Sequence, residues 1–300
     1  MLLGAFTWTE FAQQIAAGVR EGAIYAGLAL ALVIIYRSTR VINFAQGEMA
    51  TFTTFIAWSL MNHGLSFWAA FPLVLAIAFT GGVAVERILI RPIENASVLT
   101  IVIVTLGLAL LLNGLMYLIW GGPNRQFHGP FSTRTIDVGG VPVSVQDIGI
   151  VVTSLALVAL LALFFRFTKI GLGMRAAAGN RDSSRLVGIR VGWMLALGWG
   201  IAAVLGAVAG MMIAPVVFLD PNMMQTILLY AFAAAVLGGL DSPLGAVVGG
   251  LLLGVTITLL GRYVGFIGST LKLPVALMLI LVLLLVRPGG LFGSVAARRV

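Results

Sequence analysis

Long apolar stretches alternate with short polar or glycine- and proline-containing gaps along most of the chain. A helix needs about 20 mostly apolar residues to cross a bilayer, and most of these stretches approach that length. The pattern therefore predicts an all-α fold: a polytopic transmembrane helical bundle of about eight to ten spans, with nine favoured. The predicted spans lie near residues 11–36, 45–62, 66–85, 98–120, 147–167, 194–217, 223–240, 243–262 and 271–287.

Three of these stretches leave the number of spans open. The first contains Arg20 and Glu21, and the second contains Glu48. Charged groups are costly in hydrocarbon unless they are paired or face a polar cavity. The stretch at 223–262 is consistent with two spans or with one span and a re-entrant piece.

Basic residues in short loops tend to stay on the cytoplasmic side and so indicate orientation. The gap at 166–190 has one acid, Asp182, and six basic residues, Arg166, Lys169, Arg175, Arg181, Arg185 and Arg190. We expect it to be cytoplasmic, together with three other basic groups: Arg37 and Arg40, Arg87 and Arg91, and the tail with Arg287, Arg298 and Arg299. The C-terminus is then cytoplasmic, while the N-terminus and a larger loop at 121–146 are external.

Composition agrees with a membrane protein. Of the 300 residues, 60% are hydrophobic and only 9% are charged, against about a quarter charged in soluble domains. The net charge of +8 fits loops lying on an anionic cytoplasmic leaflet better than it fits nucleic-acid binding. No low-complexity segment or soluble linker interrupts the pattern, so residues 1–300 are interpreted as a single transmembrane domain.

Motifs for catalysis are missing from the sequence. It has no cysteine and no HExxH motif, and its two histidines, His63 and His128, fall in predicted loops. Neither Lys169 nor Lys272 follows a glycine, so there is no phosphate-binding GxxxxGK[ST] loop. We expect no enzymatic activity and no cofactor or metal on this chain, and no ATP bound through such a loop.

Glycine is frequent, with 37 residues, and it recurs at spacings of four inside apolar runs. Such spacing places small residues on one helix face and lets helix backbones approach closely in lipid. Close packing is the favoured interpretation, and hinges in a moving bundle are the alternative. The glycines concerned include Gly198, Gly200, Gly206, Gly210, Gly245, Gly249, Gly250 and Gly254.

The first polar segment, residues 36–48, brings Asn43, Gln46 and Glu48 to the start of an apolar stretch. One interpretation is a capped helix start near the interface, with Glu48 paired to Arg37 or Arg40. The other is a polar position in a transport path. Asn43 and Gln46 could serve either purpose.

Two more segments stand out. Residues 171–190 combine glycine turns with a helix-forming, basic stretch, which suits either a solvated loop on anionic lipid or a docking element for a cytoplasmic partner. Residues 236–250 break at two glycines and continue through Asp241, Ser242 and Pro243. That break predicts either a plain turn, with Asp241 or Ser242 as helix cap and Pro243 in the first turn, or a broken helix lining a polar path.

At these segments the chain resembles a known family. Residues 22–48, GAIYAGLALALVIIYRSTRVINFAQGE, resemble the N-terminal signature of LivH-type permeases, the membrane subunits of branched-chain amino acid uptake ABC transporters. GMRAAAGNR from Gly173, followed by Gly188 and Ile189, resembles the cytoplasmic coupling loop of that family. GGLDSPLGAVVGG from Gly238 and RPGGLFG from Arg287 are similar to its C-terminal motifs.

The resemblance implies a permease of an ATP-driven importer in a bacterial-type inner membrane. Its implied partners are two cytoplasmic ATPase subunits, an external substrate-binding protein, and a second related permease or a copy of this chain. The implied coupling loop is about 168–193, where Arg175 would anchor electrostatically and Met174, Leu186 and Ile189 would supply apolar knobs. The ATPase-coupling candidates are Gly173, Met174, Arg175, Ala176, Ala177, Asn180, Leu186, Gly188 and Ile189; the substrate-path candidates are Asn43, Gln46, Gly47, Glu48 and Asp241.

Two departures from the family pattern matter. Gln46 stands where family members usually have histidine, which removes a titratable imidazole but keeps hydrogen-bonding capacity. Thr256 to Thr258 stand where the family often has an acidic residue, so no functional carboxylate is expected in that helix. Besides branched-chain or similar hydrophobic amino acids, the alternatives are urea, amides or another small solute, an ion-coupled secondary transporter, and an assembly subunit without a path.

Overall fold

The computed structural model describes residues 7–268 and 270–293. Within them the chain forms α-helices joined by short connections, with one β-hairpin. The helices are α1 Trp8–Thr39, α2 Gln46–Asn62, α3 Phe67–Val85, α4 Val98–Trp120, α5 Val145–Phe167, α6 Lys169–Gly179, α7 Arg181–Leu186, α8 Val191–Val217, α9 Met223–Gly238, α10 Pro243–Tyr263 and α11 Lys272–Val286; the strands are β1 Thr135–Val138 and β2 Val141–Ser144.

Each of the nine apolar stretches forms a helix, which confirms the all-α, polytopic prediction. Six helical segments in the described part of the chain are long and apolar enough to cross a membrane: Trp8–Thr39, Phe67–Ile93, Val98–Trp120, Val145–Phe167, Val191–Val217 and Pro243–Tyr263. The helices α2, α9 and α11 are shorter, with 17, 16 and 15 residues. A count of nine crossings therefore stays a prediction.

Two predicted gaps contain regular structure instead. Arg87 and Arg91 do not lie in a loop, because α3 continues through a π-helical turn at Glu86–Ile90 and a 3₁₀ turn at Arg91–Ile93. The loop at 121–146 contains the antiparallel hairpin of β1 and β2, which Gly139 and Gly140 connect with positive φ angles of 65° and 85°. Two expected tail residues, Arg298 and Arg299, lie outside the described residues.

The contacts group the chain into two compact units. The described residues of 1–30, 130–155 and 226–300 form a first unit, and residues 31–129 and 156–225 form a second. The boundaries fall inside α1, α5 and α9, so each unit is built from segments distant in sequence. Neither unit is therefore a single continuous stretch of the chain.

In the second unit the core is α8, which packs against α2, α3 and α6. Glycines make these contacts close: a Cβ on Gly200 would lie 2.8 Å from the ring of Phe79, and one on Gly206 would lie 2.7 Å from Nε2 of Gln46. Trp199 is buried at this centre. Close packing, the favoured interpretation of the glycine pattern, is confirmed at these positions.

In the first unit, α1 and α10 meet through glycines on both helices. A Cβ on Gly18 would lie 2.7 Å from Cα of Val255, and one on Gly22 would lie 2.8 Å from Cα of Leu251. On the facing helix, a Cβ on Gly250 would lie 2.5 Å from Cα of Ala26. The two backbones are therefore in direct contact, as small residues allow in membrane helices.

Candidate transport site and coupling segment

Two buried amides organise the start of α2. Ala45, the residue before the helix, has no capping side chain, but Oδ1 of Asn43 accepts a hydrogen bond from the Ala45 N–H at 3.0 Å. Nδ2 of Asn43 donates to Oε1 of Gln46 at 3.2 Å, and Nε2 of Gln46 donates to the carbonyl oxygen of Ala202 in α8 at 2.8 Å. Both side chains are essentially unexposed, so these hydrogen bonds support the interpretation of this segment as a helix start.

Glu48 follows in the first turn of α2 and is 7% exposed. The side chain of Gln225 lies close enough to this carboxylate to interact with it. Among the described residues Glu48 forms no salt bridge with Arg37 or Arg40, so the pairing that one of the two interpretations included does not form. Gly47, also buried, contributes its carbonyl oxygen to the hydroxyl of Thr51 at 3.1 Å.

Gln225 extends this site into a polar network that the sequence analysis missed. Its Nε2 donates to Oδ1 of Asn222 at 2.9 Å, and Nδ2 of Asn113 donates to the same oxygen at 3.0 Å. Nδ2 of Asn222 then donates to the hydroxyl of Tyr117 at 2.8 Å. The network joins α2, α4 and the start of α9 within the second unit. It brings an acid and three amides together, with Glu48 buried and Asn222 and Gln225 exposed.

Asp241 lies elsewhere, in the first unit, where it is exposed in the turn between α9 and α10. The Ser242 hydroxyl accepts a hydrogen bond from the Gly245 N–H at 3.0 Å, and Pro243 is the first residue of α10. Gly239 takes a φ of 105° in the turn. The plain turn with a capped helix is thus confirmed, with Ser242 and not Asp241 as the cap.

The predicted coupling segment consists of α6 and α7, followed by the start of α8. Met174 and Ala177 are buried, and Ala177 packs with Val191 and Leu195 of α8. Met174 was expected to be a partner-facing knob, but only 7% of it is exposed. Its terminal methyl lies 3.7 Å from the Cβ position of Gly198 in α8. Met174 therefore fastens the segment to α8.

Local hydrogen bonds fix the path of this segment. Oδ1 of Asn180 accepts from the Ser183 N–H at 2.9 Å and so caps α7, while the Asn180 N–H donates to the Ala176 carbonyl at the end of α6. Gly188 closes α7 with a φ of 83°. Arg181 donates to the carbonyl oxygen of Ser38 at the end of α1.

The other side of the segment is uncovered. Leu186 is 89% exposed and Val187 is 75% exposed, and Arg175 is also exposed. Gly173 and Ile189 are half-buried, and Sδ of Met194 lies 3.2 Å from the Cβ position of Gly173. The segment thus has some residues packed on α8, while Leu186, Val187 and Arg175 stay exposed.

The residues described offer no group of three or more His, Cys, Asp or Glu side chains that could hold a metal ion.

Comparison with known sequences identifies the family. The profile of a family described as the permease component of the branched-chain amino acid transport system matches residues 14–286. The chain belongs to this family. The permease proteins LivH of Salmonella typhimurium strain LT2, LivH of Escherichia coli strain K12 and BraD of Pseudomonas aeruginosa are each 30% identical to it, over 97% of this chain and 98% of theirs. All three are named as permease proteins of high-affinity branched-chain amino acid transport systems.

Family membership and the apolar helices together make this chain a multi-pass inner-membrane permease, and not an enzyme. The permease family that the motifs resemble is thereby confirmed. In a permease, the polar network around Glu48 and the surface of α6 and α7 are the two candidate functional sites.

Proposed function

We propose that this permease carries branched-chain or similar hydrophobic amino acids inward as part of an ATP-driven importer. An external binding protein delivers the substrate, two cytoplasmic ATPase subunits drive transport, and a second related permease or a second copy of this chain completes the membrane part. The names of the 30% identical relatives support the substrate class. The ATPase subunits are required because the chain lacks a phosphate-binding loop.

The polar network of the second unit supports a path for a zwitterion with an apolar tail. Such a substrate needs polar groups at one end and apolar walls at the other. Glu48, Gln225 and Asn222 provide a carboxylate and amides. A buried carboxylate in a membrane protein is expensive and typically marks a functional position. We therefore assign the substrate path to the surroundings of Glu48, with Asn43, Gln46 and Gly47 holding α2 in place.

The observation that carries the ATP-driven mechanism is the two-faced coupling segment, residues 168–193. Its buried face, with Met174 and Ala177, packs on α8, so a push on the segment is passed directly to the core helix of the second unit. Its exposed residues include two large apolar side chains, Leu186 and Val187, and the cation Arg175, a combination that suits a protein partner. Movement of packed helices would then open the path alternately to each side.

Affinity purification of the tagged chain from its native membrane tests this assembly. We expect ATPase subunits to copurify in mild detergent, and Val187→Asp to remove them because a charge is placed in the apolar contact. The matched control is Val138→Asp in the β-hairpin, where the valine is 54% exposed and outside the segment. Retention of the ATPases by Val187→Asp would place their contact elsewhere.

Reconstituted transport tests the substrate and the energy source. In vesicles that contain the purified assembly and its binding protein, leucine uptake should require ATP and should be competed by isoleucine and valine, but not by urea or acetamide. Competition by urea or acetamide alone would assign the permease to those solutes. Uptake by the chain alone, driven by an ion gradient, would overturn the importer and make Glu48 and Asp241 candidates for ion coupling.

A further inference from the structure

The continuation of α3 ends in an ion pair that no role above explains. Glu86 is 1% exposed, in the π-helical turn at Glu86–Ile90. Arg91 binds its carboxylate with two donors, Nε to Oε1 at 3.3 Å and Nη2 to Oε2 at 2.9 Å. Because π-helical turns are rare and occur frequently at functional sites, this local irregularity supports a role beyond spanning the membrane.

The same arginine reaches across to α8. Its Nη2 also donates to the carbonyl oxygen of Gly192 at 2.6 Å. A Cβ on Gly192 would lie 3.3 Å from this nitrogen, so a side chain there would crowd the guanidinium. One residue later in α8, Trp193 lies under the guanidinium of Arg87, which is 3.8 Å from the ring centroid. Two cations at the end of α3 therefore bind consecutive residues in the first turn of α8.

That first turn of α8 is also where the coupling segment attaches. Val191 and Leu195 pack with Ala177 of α6, and Met194 packs against the same cluster. A small cavity is lined by Glu86, by Leu195 and by Arg181 of α7. The start of α8 thus contacts both the coupling segment and the two arginines at the end of α3, Arg87 and Arg91.

We propose that Glu86 and Arg91 are positioning residues that pass displacement of the coupling segment through the first turn of α8 to α3. This inference rests on the proposed function. The guanidinium of Arg91 is a planar fork of N–H donors. Because this fork binds the Gly192 carbonyl, α3 moves together with the first turn of α8. The buried Glu86 carboxylate keeps the fork oriented. Without the fork, the first turn of α8 can move while α3 stays behind. ATP hydrolysis would then continue with little transport.

Conservative variants separate this role from folding. Arg91→Lys keeps the charge, but one ammonium lacks the planar fork that serves both carboxylate oxygens and the Gly192 carbonyl. Glu86→Gln keeps the shape and removes the charge that orients the guanidinium. Arg134→Lys is the matched control, because Arg134 is exposed in the connection before β1 and distant in sequence from the coupling segment.

The measurement is the number of substrate molecules transported per ATP hydrolysed by the reconstituted assembly, together with the amount of ATPase subunit that copurifies. For Arg91→Lys and Glu86→Gln we expect normal copurification and a transport-to-hydrolysis ratio that falls at least about fivefold. Arg134→Lys should keep the wild-type ratio. Copurification is recorded for the wild type first, since absence of ATPases there would overturn the proposed function itself.

Three outcomes would overturn the positioning role while leaving the importer intact. The first is an unchanged ratio in both variants. The second is loss of the ATPase subunits from both variants, which would make the pair part of the assembly surface. The third is failure of both variants to accumulate in the membrane, which would make the pair a folding element only.

Discussion

Gln46 and Ala202 connect two helices of the second unit: Nε2 of the Gln46 side chain donates to the Ala202 carbonyl oxygen at 2.8 Å. The contact is buried, and Asn43 holds the other end of the Gln46 amide. An uncharged amide thus fixes the start of α2 to the core helix α8. Glu48, two residues later, lies in the first turn of α2, where its carboxylate interacts with the side chain of Gln225.

Gly206 leaves room for this contact. Gly206→Ala would place a Cβ 2.7 Å from Nε2 of Gln46 and 3.4 Å from Cβ of Ala50. We expect the added methyl group to displace the amide and to lower the free energy of unfolding by about 1–3 kcal/mol. The measurement is the midpoint of thermal unfolding of the purified permease in detergent.

Gly107→Ala in α4 is the control for that substitution, because no atom outside its own helix lies within 4 Å of the Cβ position. Alanine favours a helix interior more than glycine does, so Gly107→Ala should leave the midpoint unchanged or raise it. Equal unfolding midpoints for Gly206→Ala and the wild type would show that α2 and α8 can move apart at this contact without loss of stability.

Asn222 is the centre of the polar network. Asn222→Ala removes two acceptor contacts, from Asn113 and Gln225, and the donor contact to Tyr117. With roughly 1 kcal/mol per hydrogen bond, we expect a lower unfolding midpoint and reduced leucine uptake. Asn222→Asp should be milder, since its oxygens still accept and the tyrosine O–H can turn to donate. If alanine and aspartate had equal effects, hydrogen bonding would not be the reason.

The cap of α7 can be tested locally. Asn180→Ala removes the acceptor of the Ser183 N–H, and loss of such a cap costs about 0.5–2 kcal/mol of helix stability. Amide hydrogen exchange in residues 181–186 should therefore accelerate, while exchange in α8 stays slow. Asn180→Asp keeps the acceptor oxygen and should retain protection. Unchanged exchange in the alanine variant would mean that packing of Ser184, not the cap, holds α7.

Topology is testable because the chain has no cysteine. We expect Asp137→Cys in the β-hairpin to react with a membrane-impermeant maleimide in intact cells. Arg185→Cys in α7 should react only after permeabilisation, because basic gaps face the cytoplasm. The parent chain gives the unlabelled background. Labelling of Arg185→Cys from outside would invert the predicted orientation.

Hydrophobic patterning was sufficient to locate the helices because lipid requires long, continuous apolar stretches. It also placed Asn43, Gln46 and Glu48 correctly at the start of α2. It could not show that Glu48 would bind Gln225, since these residues are far apart in sequence and neither belongs to a local motif. Asn113 and Tyr117 were missed for the same reason: each is an isolated polar residue in an apolar run.

Local patterns in the sequence do indicate some of the other features. Gly139 and Gly140 lie between TIDV and VPVS, which is the pattern of a two-residue hairpin turn. Arg87 and Arg91 were interpreted only as topology markers, although Glu86 precedes them. Met174 is buried because it lies on the face of α6 that packs against α8. The sequence of α6 alone does not show which of its residues α8 covers.

In the first unit, glycines bring the backbones of α1 and α10 into contact, with no large side chain between them at these positions. Because glycine has no side chain, a change of rotamer cannot make room for a substitution at these positions. Substitution of Gly18, Gly22 or Gly250 by a larger residue must therefore move the backbones of α1 and α10 apart. The separation of these two helices is set by main-chain atoms, so it should survive extensive divergence elsewhere in the permease.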